Sequence, residues 1–221
     1  MRAIIIGTVA LGALLALSSP SSAGPVTWTT WSSHSTGVSA GSATGTAGAV
    51  TVSYAGELEN LFTGYPSYTP NSTWVGGIVG NAPSPNDIIQ LFGGTATQIN
   101  TITFSTPVTN PVLAIWSLGQ GGVTASFNFS ATPIFDAGGP SAEYGGSAIS
   151  IAGNNVLGNE GNGSVHFAGT FSSISFSNPA FENWYGFTVG VAGGTAVPEP
   201  ASLAVLGLGL AALGLARRRS R

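Results

Sequence analysis

No cysteine and no lysine occurs among the 221 residues, and the five arginines are confined to the two ends. Arg2 precedes the first apolar run, and Arg217, Arg218, Arg219 and Arg221 follow the last. Charged residues make up 6% of the chain, against about a quarter in an ordinary soluble protein. Each absence closes off a class of function. Without cysteine there is no thiol nucleophile, no thiolate metal ligand and no disulfide, so stability must come from a buried core. Without lysine or arginine, the region from Gly24 to Ala216 cannot neutralise phosphate. Nucleic acid and anionic membrane surfaces are thereby excluded as its partners.

What remains in the central region is acidic. Glu57, Glu59, Asp87, Asp136, Glu143, Glu160 and Glu182 give it a formal charge near −7, and the eighth acid, Glu199, lies in the tail. Solubility therefore rests on Ser, Thr, Asn and Gly, a surface that is indifferent to salt and suited to an extracellular setting.

The ends read as addresses. Met1 and Arg2 form a short positive region, Ala3–Leu17 is apolar, and Ser18–Ala23 is small and polar. As a helix the apolar run spans roughly 23 Å, short of the roughly 30 Å hydrocarbon core. Residues 1–23 are thus expected to be a signal peptide cleaved before Gly24. At the other end, Val197-Pro198-Glu199-Pro200 blocks helix formation immediately upstream of Ala201–Ala216, an uncharged run rich in Leu, Ala and Gly. The arginine cluster after it resists crossing and acts as a stop-transfer signal by the positive-inside rule. The expected organisation is a signal peptide (1–23), a β-sandwich domain (24–194) and a sorting tail (195–221).

This three-part tail resembles the PEP-CTERM sorting signal of exported proteins from envelope-bearing bacteria that make extracellular polysaccharide. The resemblance implies that Pro198, Glu199 and Pro200 are read by an integral-membrane exosortase, with signal peptidase acting at the other end. It implies a transient stay in the inner membrane through the C-terminal helix, then delivery to the envelope, cell surface or extracellular matrix of a diderm bacterium. Two internal stretches, Thr109–Gly119 and Glu182–Val189, resemble bodies of uncharacterised PEP-CTERM proteins. That implies a shared β domain and supplies no activity.

Within the central region, apolar residues recur at every second position between Gly, Pro and Asn turns, as half-buried strands require. Val123, Ala125, Phe127 and Phe129 alternate with Thr124, Ser126, Asn128 and Ser130, and Ile102 and Phe104 alternate with Thr101 and Thr103. Val112–Leu118 is continuously apolar, as in a strand buried on both faces. Asp87–Phe92 suits a short helix or a strand equally. The fold expected is all-β, a single antiparallel jelly-roll-like sandwich of eight to ten strands.

Candidate chemistry is sparse. His166, between Val165 and Phe167, is expected to face solvent, and His34 to lie at an edge; no Gly-x-Ser-x-Gly elbow accompanies either. Glu57 and Glu59 share a strand face at a Cα separation of about 6.5 Å, permissive for glycosidase carboxylates. They also flank a turn, where exposed acids are ordinary. Asn154, Asn155, Asn159, Glu160 and Asn162 form the one cluster that calcium would favour, or a set of turns. The segment Tyr65–Trp74 holds aromatics among prolines, and Tyr65, Tyr68 and Trp74 are candidates for stacking on a sugar. The same rings would equally pack over one end of the sandwich. No catalytic residue, metal site or cofactor is expected. The function expected is structural or adhesive, in contact with extracellular polysaccharide. A carbohydrate-binding module is the alternative, and a matrix-modifying hydrolase comes third.

Overall fold

The computed structural model describes residues 24–95 and 97–193. The expected signal peptide and sorting helix, with Pro198, Glu199, Pro200 and the arginine cluster, lie outside the described residues. The strands in chain order are β1 (Val26–Trp28), β2 (Thr30–Ser35), β3 (Gly37–Ala47), β4 (Val50–Leu58), β5 (Asn60–Phe62) and β6 (Ile88–Leu91). Next come β7 (Asn100–Thr109), β8 (Pro111–Leu118), β9 (Ala125–Phe129), β10 (Ile134–Gly138) and β11 (Ser147–Ala148). The last are β12 (Ser150–Ala152), β13 (Asn155–Gly158), β14 (Gly161–His166), β15 (Thr170–Ser177) and β16 (Tyr185–Ala192). One 3-10 turn, Asn71–Thr73, interrupts the long connection between β5 and β6.

Two sheets face each other. One runs β12-β13-β9-β15-β7-β4-β3-β2; the other runs β10-β14-β8-β16-β6-β5, with β1 on β16 and β11 on β14. Pairing is antiparallel except for β11 against β14. Sixteen strands stand where eight to ten were expected, because bends such as Thr29, Glu59 and Ile149 cut longer runs into short pieces. Asp87–Phe92 resolves as strand β6: Ile89 enters the core between the sheets and Ile88 a second core on the other side. β-branched side chains with partners on both faces favour the extended form.

The first sheet behaves as its alternation predicts. Ile102, Phe104, Phe127, Phe129, Ile174 and Phe176 are buried between the sheets. Its other face is open and hydroxylated. Ser33, Thr44, Ser53, Thr103 and Ser173 pair successively across five strands, with no charged side chain among them.

The second sheet is covered on both faces. Leu113, Ile115 and Leu118 of β8 join the inter-sheet core, whereas Val112, Ala114 and Trp116 join the second core. That second core is built by the segment from Thr63 to Asn86, which lies across the sheet as a strap. Tyr68, Trp74 and Val79 of the strap are buried beside Val26, Trp28 and Ile88. Gly190 of β16 makes room for it: a Cβ there would stand 2.4 Å from Val26 Cγ1 and 2.8 Å from the Trp28 ring.

Buried carboxylates fasten the strap. Asp87 accepts the N–H groups of Trp31 (3.2 Å) and Gly64 (3.3 Å), closing the strap's two ends. Asp136 accepts the Ile78 N–H at 3.0 Å and pairs with His166 Nδ1 at 2.9 Å. Gly77 has a positive φ of 51° here, and a Cβ would lie 2.1 Å from Asp136 Oδ1, so only glycine fits.

Candidate functional site

The strap places the three sugar-stacking candidates very differently. Tyr68 is 1% exposed and Trp74 0%, and their rings pack edge to face at 5.2 Å. The Tyr68 hydroxyl donates to the Asp87 carbonyl, and Trp74 Nε1 donates to the Ile115 carbonyl. Neither ring can meet a sugar, because both are spent on covering β8. Tyr65 alone stays half-buried, and its hydroxyl lies 2.8 Å from that of Tyr144.

The carboxylate pair is also separated. Glu59 is exposed in the bend after β4, whereas Glu57 turns inward, because a bulge opposite Gly37–Gly41 breaks the alternation. The Glu57 carboxylate accepts the Phe92 and Gly93 N–H groups at 2.8 Å and the Asn178 amide at 2.6 Å. Asn178 is in turn held by Asn100, so Glu57 anchors the segments that follow β6 and β15. His166 is buried, contrary to the expected exposure, because Trp74 and the strap cover the second face of β14. His34 is exposed on the edge strand β2. The asparagine cluster divides: Asn154 accepts the Thr132 hydroxyl in one turn, and Asn162 is buried in another structure altogether. Among the described residues no group of three or more His, Cys, Asp or Glu is placed to hold a metal.

That other structure is a cleft at the end of β8, enclosing about 450 Å³ and lined by Ser117, Gln120, Tyr144, Glu160, Glu182, Asn183 and Trp184. A bulge between Gly161 and Gly163 shifts the pairing of β14 with β8 and turns the end of β8. Bulges commonly re-aim side chains in this way. Ser117 and Glu160 both take positive φ, 54° each, although neither is glycine. Such a conformation costs on the order of 1–3 kcal/mol and persists only where neighbours enforce it. Asn162 is the enforcer: its Oδ1 accepts the Ser117 N–H at 2.8 Å, and its Nδ2 donates to the Glu160 and Gly145 carbonyls. The result aims two side chains at each other, and Ser117 Oγ donates to Glu160 Oε2 at 2.8 Å.

The opposite wall comes from the loop between β15 and β16. Glu182 N–H donates to the Phe92 carbonyl at 2.8 Å, tying this loop to the segment that Glu57 anchors. The Trp184 ring packs edge to face on Trp116, with centroids 5.0 Å apart, and Tyr144 does the same at 5.1 Å. Trp116 is the fully buried floor beneath them. Tyr144, 60% exposed, and Trp184 face each other across 6.2 Å with ring planes tilted by 46°.

Two polar groups here are unsatisfied: Glu182 Oε2 and Trp116 Nε1 are buried without a hydrogen-bond partner. An unpaired buried polar atom costs on the order of 1–3 kcal/mol. Burial pushes the Glu182 carboxyl up to about 8, the Gly119 N–H opposes that, and the Glu160 charge adds to it. No lysine or arginine of the body adds to that opposition. The cleft is an apolar, tilted pair of rings edged by two carboxylates, a hydroxyl and two amides. Such a place suits a polar ring with apolar faces.

Sequence reasoning missed Trp116, Tyr144, Glu182 and Trp184 as a set, since they come from β8, the loop before β11 and the loop before β16. Two signals were available: Glu160 and Asn162 in the asparagine-rich turn, read there as possible calcium ligands, and the stretches Thr109–Gly119 and Glu182–Val189, which hold Trp116, Glu182 and Trp184.

The PEP-CTERM protein-sorting motif matches residues 196–220, the stretch holding Pro198, Glu199, Pro200 and Arg217 to Arg219. The chain thus carries a PEP-CTERM sorting signal, which implies export, a membrane-associated sorting step and processing by an exosortase. No curated protein and no solved structure matches the chain.

Proposed function

We propose that this is an adhesive, non-catalytic protein of the bacterial envelope or its polysaccharide matrix, and that the Tyr144–Trp184 cleft binds a saccharide of that matrix. The observation carrying this is the pair of accessible rings on a rigid Trp116 floor, edged by Ser117, Gln120, Glu160 and Asn183. Stacking on aromatic rings takes up the apolar faces of a pyranose, and the hydroxyl and amide groups orient it. The sorting motif supports this location, because it implies export and a membrane-associated sorting step. The open Ser/Thr face of the first sheet offers uncharged hydroxyls towards the same hydrated surroundings. In this reading the membrane contact is transient and ends when the tail is processed.

A glycan array with the mature protein tests the reading, alongside affinity electrophoresis in polysaccharide gels. Retention of the wild type and at least tenfold weaker retention of Trp184→Ala are expected. Absence of binding to any glycan overturns it, and turnover of a bound glycan to shorter products overturns the non-catalytic part.

A further inference from the structure

We propose that the cleft selects a positively charged sugar, an amino sugar with a free protonated amine, seated between Glu160 and Glu182 against the Tyr144 and Trp184 rings. This deepens the saccharide reading of the same site and rests on it.

Three independent observations converge. Glu182 lines the cleft at 3% exposure, and its Oε2 is buried with no hydrogen-bond partner. Glu160 spends one oxygen on the Ser117 hydroxyl and stands on the other side of the same space. No lysine or arginine occurs between Gly24 and Ala216, so no side chain of the body can balance these carboxylates. An ammonium group carries three donors and a full charge, enough to satisfy Glu182 Oε2 and Glu160 together. The rings add to this: a cation over an indole or phenol face is attracted by the ring quadrupole.

The alternatives fit less well. A neutral sugar hydroxyl supplies one donor and no charge. An N-acetylated sugar replaces the ammonium with an uncharged amide. A uronic acid brings a third carboxylate beside Glu160 and Glu182, with no lysine or arginine to offset it. The groups facing Glu182 are Glu160 from the turn before β14, Tyr144 from the loop before β11 and Tyr185 from its own segment. None of them brings positive charge. Burial raises the Glu182 carboxyl first and the Glu160 charge adds to it, and a bound ammonium would displace its proton.

The test is isothermal titration of the mature protein with three tetrasaccharides: β-1,4-glucosamine, its fully N-acetylated counterpart and the glucose analogue. At pH 6.5, the glucosamine tetramer is expected to bind at least tenfold more tightly than the other two. Glu182→Gln should abolish that preference while leaving the weaker binding of the neutral tetramers in place. Equal affinity for all three in the wild type overturns the charge selection and leaves the saccharide reading standing. Binding of none of them overturns both. Titration with calcium chloride alone is the remaining arm: tight calcium binding that Glu182→Gln abolishes, with no amine preference, assigns the carboxylates to a metal and overturns the proposal.

Discussion

The strap and the cleft are two aromatic-rich regions on the same face of the same sheet, and they spend their rings in opposite ways. In the strap, Tyr68 and Trp74 are buried in the second core, and the Tyr68 hydroxyl and Trp74 Nε1 both find backbone partners. In the cleft, Tyr144 and Trp184 stand partly open, and Trp116 Nε1 and Glu182 Oε2 have no partner. The difference comes from what lies beneath. Val112 and Ala114 are small enough for the strap to settle onto β8, whereas Trp116 fills the space at the strand's end and holds Tyr144 and Trp184 up. A satisfied, buried region stabilises; an unsatisfied, half-open one is available to a ligand.

If that contrast is right, truncating the strap has the largest effect on stability. Trp74→Ala should cost about 3–5 kcal/mol, as expected for deleting a fully buried indole. Trp184→Ala, which is half-buried, should cost about 1–2 kcal/mol from lost apolar contact. Urea unfolding of the two variants checks this, and equal losses would break the comparison. Asp87→Ala, which frees the Gly64 N–H at the strap's start and the Trp31 N–H of β2, should cost about 2 kcal/mol. Limited proteolysis should then cut within 64–86 sooner than in the wild type.

A smaller effect separates the two regions by pH. The folded protein holds the Glu182 proton to about 8, whereas the unfolded chain releases it near 4.5. A raised carboxyl makes the folded state the better proton binder, so stability is greatest below the unfolded value and falls as pH rises towards 8. Thermal midpoints should therefore decline between pH 5 and 8.5, and Glu182→Gln should flatten the decline. An unchanged slope in the variant would remove Glu182 as its source. The smallest change expected is on the open hydroxyl face, where Ser53→Ala should stay within about 0.5 kcal/mol of the wild type.

The sheets were largely legible in the sequence, since alternation is set by each strand's own residues. Phe127 and Phe129 enter the core while Ser126 and Asn128 face out, and Val112–Leu118 is buried throughout. The strap was not legible, because nothing local to Tyr68 or Trp74 says that a sheet lies beneath them. His166 was misplaced for the same reason, its outward face being covered by a segment 90 residues earlier in contact with its neighbour Ser164. Glu57 was misplaced because the bulge that turns it inward depends on Gly41, in the neighbouring strand. The cleft was hidden more deeply. Ser117, Tyr144, Glu160 and Trp184 meet only after two sheets and three loops are in place, although Glu160 and Asn162 stood in the turn that shapes it.

The contrast between the regions is tested most directly by titrating one ligand, the β-1,4-glucosamine tetramer, into two variants that keep the fold. Trp184→Ala, in the cleft, should bind at least tenfold more weakly than the wild type, and Tyr68→Phe, in the strap, should bind as the wild type does. Wild-type affinity in Trp184→Ala together with loss in Tyr68→Phe would move the binding site to the strap and contradict the account.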